Sequence, residues 1–150
     1  MTNESIKEFI TQFQPAAVFD ETGEWLNIAI DAADWKPLAI QLRNAPNSYD
    51  YLFCLTCIDW KTHLTMVYHL SSTLHRHTIV IKAKTDRTNP AIETVSDIWK
   101  TANFHEREVF ELFGVHFNYH PDLIKLILTD DLEGYPLRKD FEDPSNMIKL

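Results

Sequence analysis

Two stretches hold residue types that could do chemistry. The first, His105-Glu-Arg-Glu-Val-Phe-Glu-Leu-Phe-Gly114, crowds three glutamates, an arginine and a histidine against two phenylalanines. Paired carboxylates suit general acid–base work. A catalytic site also needs a convergent nucleophile and a pocket, and the neighbouring sequence supplies neither. Read as a helix, the stretch has another account. Asn103 is a good N-cap, and Glu106 then falls at N3 as in a capping box. Gly114 is the natural residue just past the C-terminus. Val109, Phe110, Leu112 and Phe113 form one apolar face with Glu106 in its middle. Arg107, Glu108 and Glu111 lie on the other side, with Arg107 and Glu111 spaced for an i,i+4 pair. That charged side either solvates the helix or docks on a partner.

The second stretch is Cys54-Leu-Thr-Cys57. A redox C-x-x-C sits at a helix N-terminus, where the dipole favours the thiolate. This one lies in an apolar strand pattern, where residues i and i+3 point to opposite faces. No second C-x-x-C completes a zinc site, so two buried, reduced cysteines are expected. Seven histidines invite a metal reading, but none falls in H-E-x-x-H or another ligand spacing. Three glycines, at 23, 114 and 134, allow neither G-x-G-x-x-G nor a phosphate-binding loop, and no G-x-S-x-G occurs. Nothing resembles a site for NAD, FAD, nucleotide, haem or an iron–sulfur cluster.

The elements that must position these residues follow from periodicity. The chain has 150 residues, enough for one domain with a real core. Ile6, Phe9, Ile10 and Phe13 repeat at helical spacing over 1–14, ended by Gln14-Pro15. Ala16–Phe19 and Trp25–Ile30 read as strands around a turn, and Asp34 as the N-cap of a helix over 35–44. Tyr51–Asp59, Leu64–Ser71 and Arg76–Lys84 are rich in β-branched and aromatic residues and read as an antiparallel meander. Thr94–Thr101 is expected to be a short helix, and Pro121–Leu128 a helical turn. The fold class is therefore α+β: a layered domain over 1–128, with a mainly antiparallel sheet flanked by helices, followed by an irregular C-terminal tail over 129–150.

Charge and composition exclude several functions. The formal charge of −8, with no run of Lys or Arg longer than two, leaves no basic face for nucleic acid. No apolar run approaches the length of a bilayer span, and Met1–Ile10 has neither the basic nor the apolar region of a secretory signal. A cytosol-like compartment is expected, with any membrane contact made through another protein. The tail mixes both charge signs with apolar residues. Leu137 and Phe141 suit anchoring in a neighbour's pocket, and Arg138 suits carboxylate pairing. Folding back on its own domain is the alternative.

Glu106–Gly114, then Phe117, His120-Pro-Asp-Leu123, and Glu133-Gly-Tyr-Pro-Leu-Arg-Lys-Asp-Phe141 closely resemble the 30 kDa-type subunit family of respiratory complex I, NADH:quinone oxidoreductase. Asp97-Ile-Trp99 and Tyr68-His-Leu70 add to the likeness, which covers roughly 45–143. Ile124 stands where the family usually has the first of two basic residues, followed here by Lys125. Most members also continue beyond the Arg-Lys-Asp-Phe segment, so a smaller grip on the neighbouring subunit is expected. The resemblance implies a peripheral-arm subunit of a proton-translocating complex, without catalytic residues or a cofactor of its own. NADH, FMN, iron–sulfur clusters and quinone would be held by partner subunits. The 49 kDa-type subunit is the main expected neighbour. The location implied is the cytoplasmic side of the bacterial inner membrane, or the matrix side in an organelle. Membrane-bound hydrogenases and other-donor dehydrogenases carry equivalent subunits, and a free-standing module on the same scaffold is the remaining alternative. The expected partner contacts are Arg107, Glu108, Glu111, His120, Asp122, Lys125, Leu137, Arg138, Lys139, Asp140 and Phe141. On that expectation, Arg138→Ala weakens assembly and spares the isolated fold.

Overall fold

The computed structural model describes residues 1–142, so the last eight residues of the expected tail lie outside the described part. Helix α1 (Asn3–Phe13) opens on a capping box between Thr2 and Ser5 and buries Ile6 and Ile10. Strands β1 (Val18–Asp20) and β2 (Leu26–Asp31) form a hairpin. A short 3-10 turn, Ala32–Asp34, leads into α2 (Trp35–Arg43), so Asp34 is helical and makes no capping bond. The meander follows as β3 (Tyr51–Asp59), β4 (His63–Ser72) and β5 (His77–Asp86).

The sheet order is β1-β2-β5-β4-β3, antiparallel throughout except that β2 runs parallel to β5. The inner rows read Leu26–Ile79–Leu70–Leu52, Ile28–Ile81–Tyr68–Leu55 and Ile30–Ala83–Met66–Cys57. These side chains join Ile6, Ile10, Trp35, Leu38, Leu42, Trp99, Val109 and Phe113 in one buried cluster. The three helices therefore share one face of the sheet, as the burial of its alternate residues requires.

The expected helix at Thr94–Thr101 is absent. Residues 91–93 form a strand, β6 (Ala91–Glu93), and the chain then turns tightly, with Trp99 N bonded to Val95 O. Trp99 stacks on Trp35 and donates from its indole to Tyr49 O, so burial of this one side chain outweighs local helical periodicity. Helix α3 (Ala102–Phe113) begins one residue before the expected cap, behind Thr101, without a side-chain cap. Strand β7 (His116–Asn118) pairs in parallel with β6. From 119 to 142 the chain contains no helix or strand, so the helical turn expected at Pro121–Leu128 is also absent.

Candidate functional site

The charged side of α3 binds the chain's own backbone. Glu111 is 1% exposed, and its carboxylate accepts from the N–H groups of Leu126, Ile127 and Leu128 at 2.9–3.1 Å. Burial alone would push this carboxyl up, but the three N–H donors outweigh it and hold the pKa below the usual value. Arg107 donates to Ile124 O (3.0 Å) and Lys125 O, with its guanidinium over the Phe104 ring. The expected Arg107–Glu111 pair is thus replaced by two clamps on one passing segment. A buried anion or a half-buried cation beside unpaired backbone groups gains more from them than from an exposed i,i+4 contact. Lys125 Nζ closes the next loop on Thr129 O and Leu132 O.

A second set of clamps fastens residues 135–140. Leu137 N donates to Leu112 O, and Arg138 Nε to Phe113 O at 2.5 Å, satisfying carbonyls that the end of α3 leaves free. The Arg138 guanidinium lies over Tyr135, whose ring packs on Gly114. Gly114 is left-handed (φ 77°) and a Cβ there would come within 2.5–2.8 Å of that ring, so glycine is needed twice over. Asp59, 3% exposed, accepts a two-pronged bond from Arg87 and one from Lys139 N at 2.9 Å. Arg87 also reaches Asp140 at 3.1 Å. Phe141 is half-buried against Gly134. Asp59 and Arg87 carry no local signal in the sequence, since the contacts of Asp59 with Arg87 and Lys139 span 28 and 80 residues.

Glu106 does not cap α3. It is fully buried, accepting from Thr94 Oγ1 (2.5 Å) and Val95 N (2.8 Å), and so fixes the turn before the helix. Burial pushes its carboxyl up to about 7. His120 has a fully buried side chain; Nε2 donates to Asn103 O and lies 3.7 Å from Glu106, and Nδ1 accepts from Asp122 N. Asp122 and Glu108 face solvent.

What these clamps display is apolar. Ile124, Leu126, Ile127, Tyr135 and Leu137 are 54, 38, 72, 40 and 53% exposed on a fixed, irregular backbone. Cys54 and Cys57 do lie on opposite faces of β3, opposite His69 and Met66. Both are free, and burial raises both thiols, Cys57 to about 12. Cys54 is half-buried rather than buried.

Fold and site together define an α+β domain that carries an apolar strap latched to its last helix. The chain belongs to the family described as the respiratory-chain NADH dehydrogenase 30 Kd subunit, whose model matches residues 28–146. It is 46% identical over 103 residues to the C/D subunit of the NADH-quinone oxidoreductase of Phocaeicola vulgatus, across 67% of this chain and 20% of that one. It is 40% identical over 97 residues to a subunit of the F(420)H(2) dehydrogenase of Methanosarcina mazei, across 63% of this chain and 61% of that one. The chain therefore spans less than two thirds of the length of either relative. A chain in the structure of the membrane-bound sulfane sulfur reductase, an archaeal respiratory membrane complex, has a similar fold, with a TM-score of 0.78 and 26% identity over 95% of this chain and 86% of that one. Among the described residues, no helix is long and apolar enough to cross a membrane.

Proposed function

We propose that this chain is a cofactor-free, non-catalytic peripheral-arm subunit of a proton-translocating NADH:quinone oxidoreductase. It supports assembly of the module that passes electrons from iron–sulfur clusters to quinone. One observation carries the reading: five large apolar side chains stand exposed on a strap held by Glu111, Arg107 and Arg138. Exposed apolar groups on a preorganised backbone are what a docking surface needs, because the ordering cost is met before the partner arrives. Leu137, Glu108, Asp122 and the Lys139 side chain meet the partner directly. Arg107, Glu111, His120, Lys125, Arg138, Asp140 and Phe141 act from beneath, by shaping the strap. The Phocaeicola vulgatus relative, whose name joins two subunits in one chain, supports a 49 kDa-type neighbour. NADH, FMN, clusters and quinone belong to partner subunits, on the cytoplasmic or matrix side of the membrane.

A second reading is the equivalent subunit of a complex with another electron donor, favoured by the F(420)H(2) dehydrogenase relative and the sulfane sulfur reductase likeness. Affinity isolation from gently solubilised native membranes, with mass spectrometry and an NADH:quinone assay, separates the two. Co-purification with iron–sulfur and membrane subunits and quinone reduction by NADH supports the first. The same partners with another donor's subunit support the second. Recovery of the chain alone overturns both in favour of a free-standing module.

A further inference from the structure

Glu106 sits at the root of α3 without a bonded counter-charge. Its Oε1 accepts from Val95 N at 2.8 Å, and its Oε2 lies 2.5 Å from Thr94 Oγ1. Four other titratable groups face it. Lys36 of α2 and Asp97 of the turn before α3 are paired with each other at 2.5 Å and act on Glu106 in opposite senses. Tyr68 of β4 is fully buried, and burial, then the charge of Glu106, hold its phenol well above the ordinary value. His120 approaches to 3.7 Å, but both of its ring nitrogens are engaged: Nε2 donates to Asn103 O at 3.1 Å, and Nδ1 accepts from Asp122 N at 3.0 Å. A second ring proton would have to stand on Nδ1, against the Asp122 N–H.

The Thr94 hydroxyl also lies 2.8 Å from Ser96 Oγ and accepts from Ser96 N at 3.1 Å. It has one hydrogen to share between Glu106 and Ser96. With Glu106 protonated, the hydrogens run outward, from Oε2 to Thr94 and from Thr94 to Ser96. With Glu106 ionised they run inward, from Ser96 to Thr94 and from Thr94 to Oε2. Both orders fit the same heavy-atom positions. Thr94 and Ser96 line a surface groove of about 520 Å³, together with Lys36, Asp97, Asn103 and Tyr119. We propose that Glu106, Thr94 and Ser96 form a proton-operated switch, which exchanges a proton with this groove and sets how firmly the start of the strap is held. On release, Glu106 passes its proton to Thr94 Oγ1, Thr94 passes its own to Ser96 Oγ, and Ser96 passes its own to solvent in the groove. Glu106 is left as a buried anion. His120 can answer that charge only by taking a proton on Nδ1, which forfeits the bond from Asp122 N. The proton on Glu106 therefore keeps the His120-Pro121-Asp122 turn closed, and its loss loosens the point where the strap begins. Burial favours the neutral acid and brings the exchange to about 7. The switch lies within this chain's own fold, so it stands or falls apart from the assembly reading.

The test is a pH titration of the full chain followed by NMR. The carboxyl carbon of Glu106 is read with the backbone amides of residues 120–124, and Glu106→Gln identifies its signal. Expected is one step in the Glu106 carboxyl centred near pH 7, with the 120–124 amides moving at the same midpoint and standing still in Glu106→Gln. Thr94→Val removes the hydroxyl that bonds the anion, and should raise the midpoint by about one pH unit. Ser96→Ala cuts only the outer link. It should leave the midpoint nearly unchanged but slow the exchange, so that the carboxyl signal, a sharp average in the natural chain, broadens at mid-titration. A merely structural Ser96 would not produce that broadening. A Glu106 carboxyl with no step between about pH 5 and 9 overturns the switch. Amides at 120–124 that ignore the Glu106 step overturn its link to the strap. Equal line widths in Ser96→Ala and the natural chain overturn the relay, and this variant decides that point even where Thr94→Val fails to fold.

Discussion

At the residue scale, two glutamates on one helix have opposite electrostatics although both are buried. Glu111 meets three backbone N–H donors and is held ionised. Glu106 meets one hydroxyl and one N–H, and burial dominates. The charges facing Glu106 are mixed: Lys36 draws the proton off, Asp97 holds it on, and His120 lies 3.7 Å away. Its folded-state carboxyl titrates near 7, against an ordinary value of 4.5. Between those values the folded chain holds a proton that the unfolded chain releases. The contribution to stability is therefore complete below about pH 4.5 and is lost as pH rises through about 7. Glu106→Gln keeps a neutral group in place. The melting temperature of the natural chain should fall by a few degrees relative to that variant between about pH 5 and 8. Parallel curves would mean that Glu106 stays charged. Glu106 is set apart already in the sequence, because it falls on the apolar face of α3. Its partner Thr94 is not legible there, since that contact depends on a turn standing where periodicity points to a helix.

At the element scale, α3 is the strut from which the irregular segment hangs, and Gly114 is its hinge point. Gly114→Ala puts a Cβ into the left-handed region, at about 1–2 kcal/mol, and against the Tyr135 ring. The ring must leave, and with it the stacking of Arg138 over Tyr135. The expected outcome is a melting temperature several degrees lower and faster proteolysis within 124–141 than in the natural chain; an unchanged cleavage pattern would show that Tyr135 does not anchor the strap. Gly114 is legible in the sequence as a helix stop, and the meander in its strand composition and short links. The parallel β2–β5 pairing is not, because alternation marks which face of a strand is buried but not which strand lies beside it. The backbone clamps are also hidden. Arg107 and Glu111 fit an i,i+4 pair so well that local spacing gives no hint of the backbone of residues 124–128 waiting 15–18 residues away.

At the scale of the whole molecule, the domain presents an apolar strap over α3. Such a surface would be a liability on a solitary protein. Which residues test the strap depends on what each one touches. Arg138→Ala removes the donor to Phe113 O and the guanidinium over Tyr135. The isolated chain should therefore lose stability, and a fall in complex yield would then report folding as much as docking. Ile127 and Leu137 are cleaner probes, because more than half of each is already exposed. Substituting both with Asp changes groups that face water in the free chain, and the cost there should stay within about 0.5 kcal/mol per site. In a complex the same two carboxylates would be buried without partners. Recovery of the assembled complex should fall by roughly tenfold or more, while the melting temperature of the isolated chain moves by no more than about 3 °C. Full recovery of the complex would place the partner elsewhere on the domain. A large loss of isolated stability would instead show that the strap's apolar side chains serve their own fold.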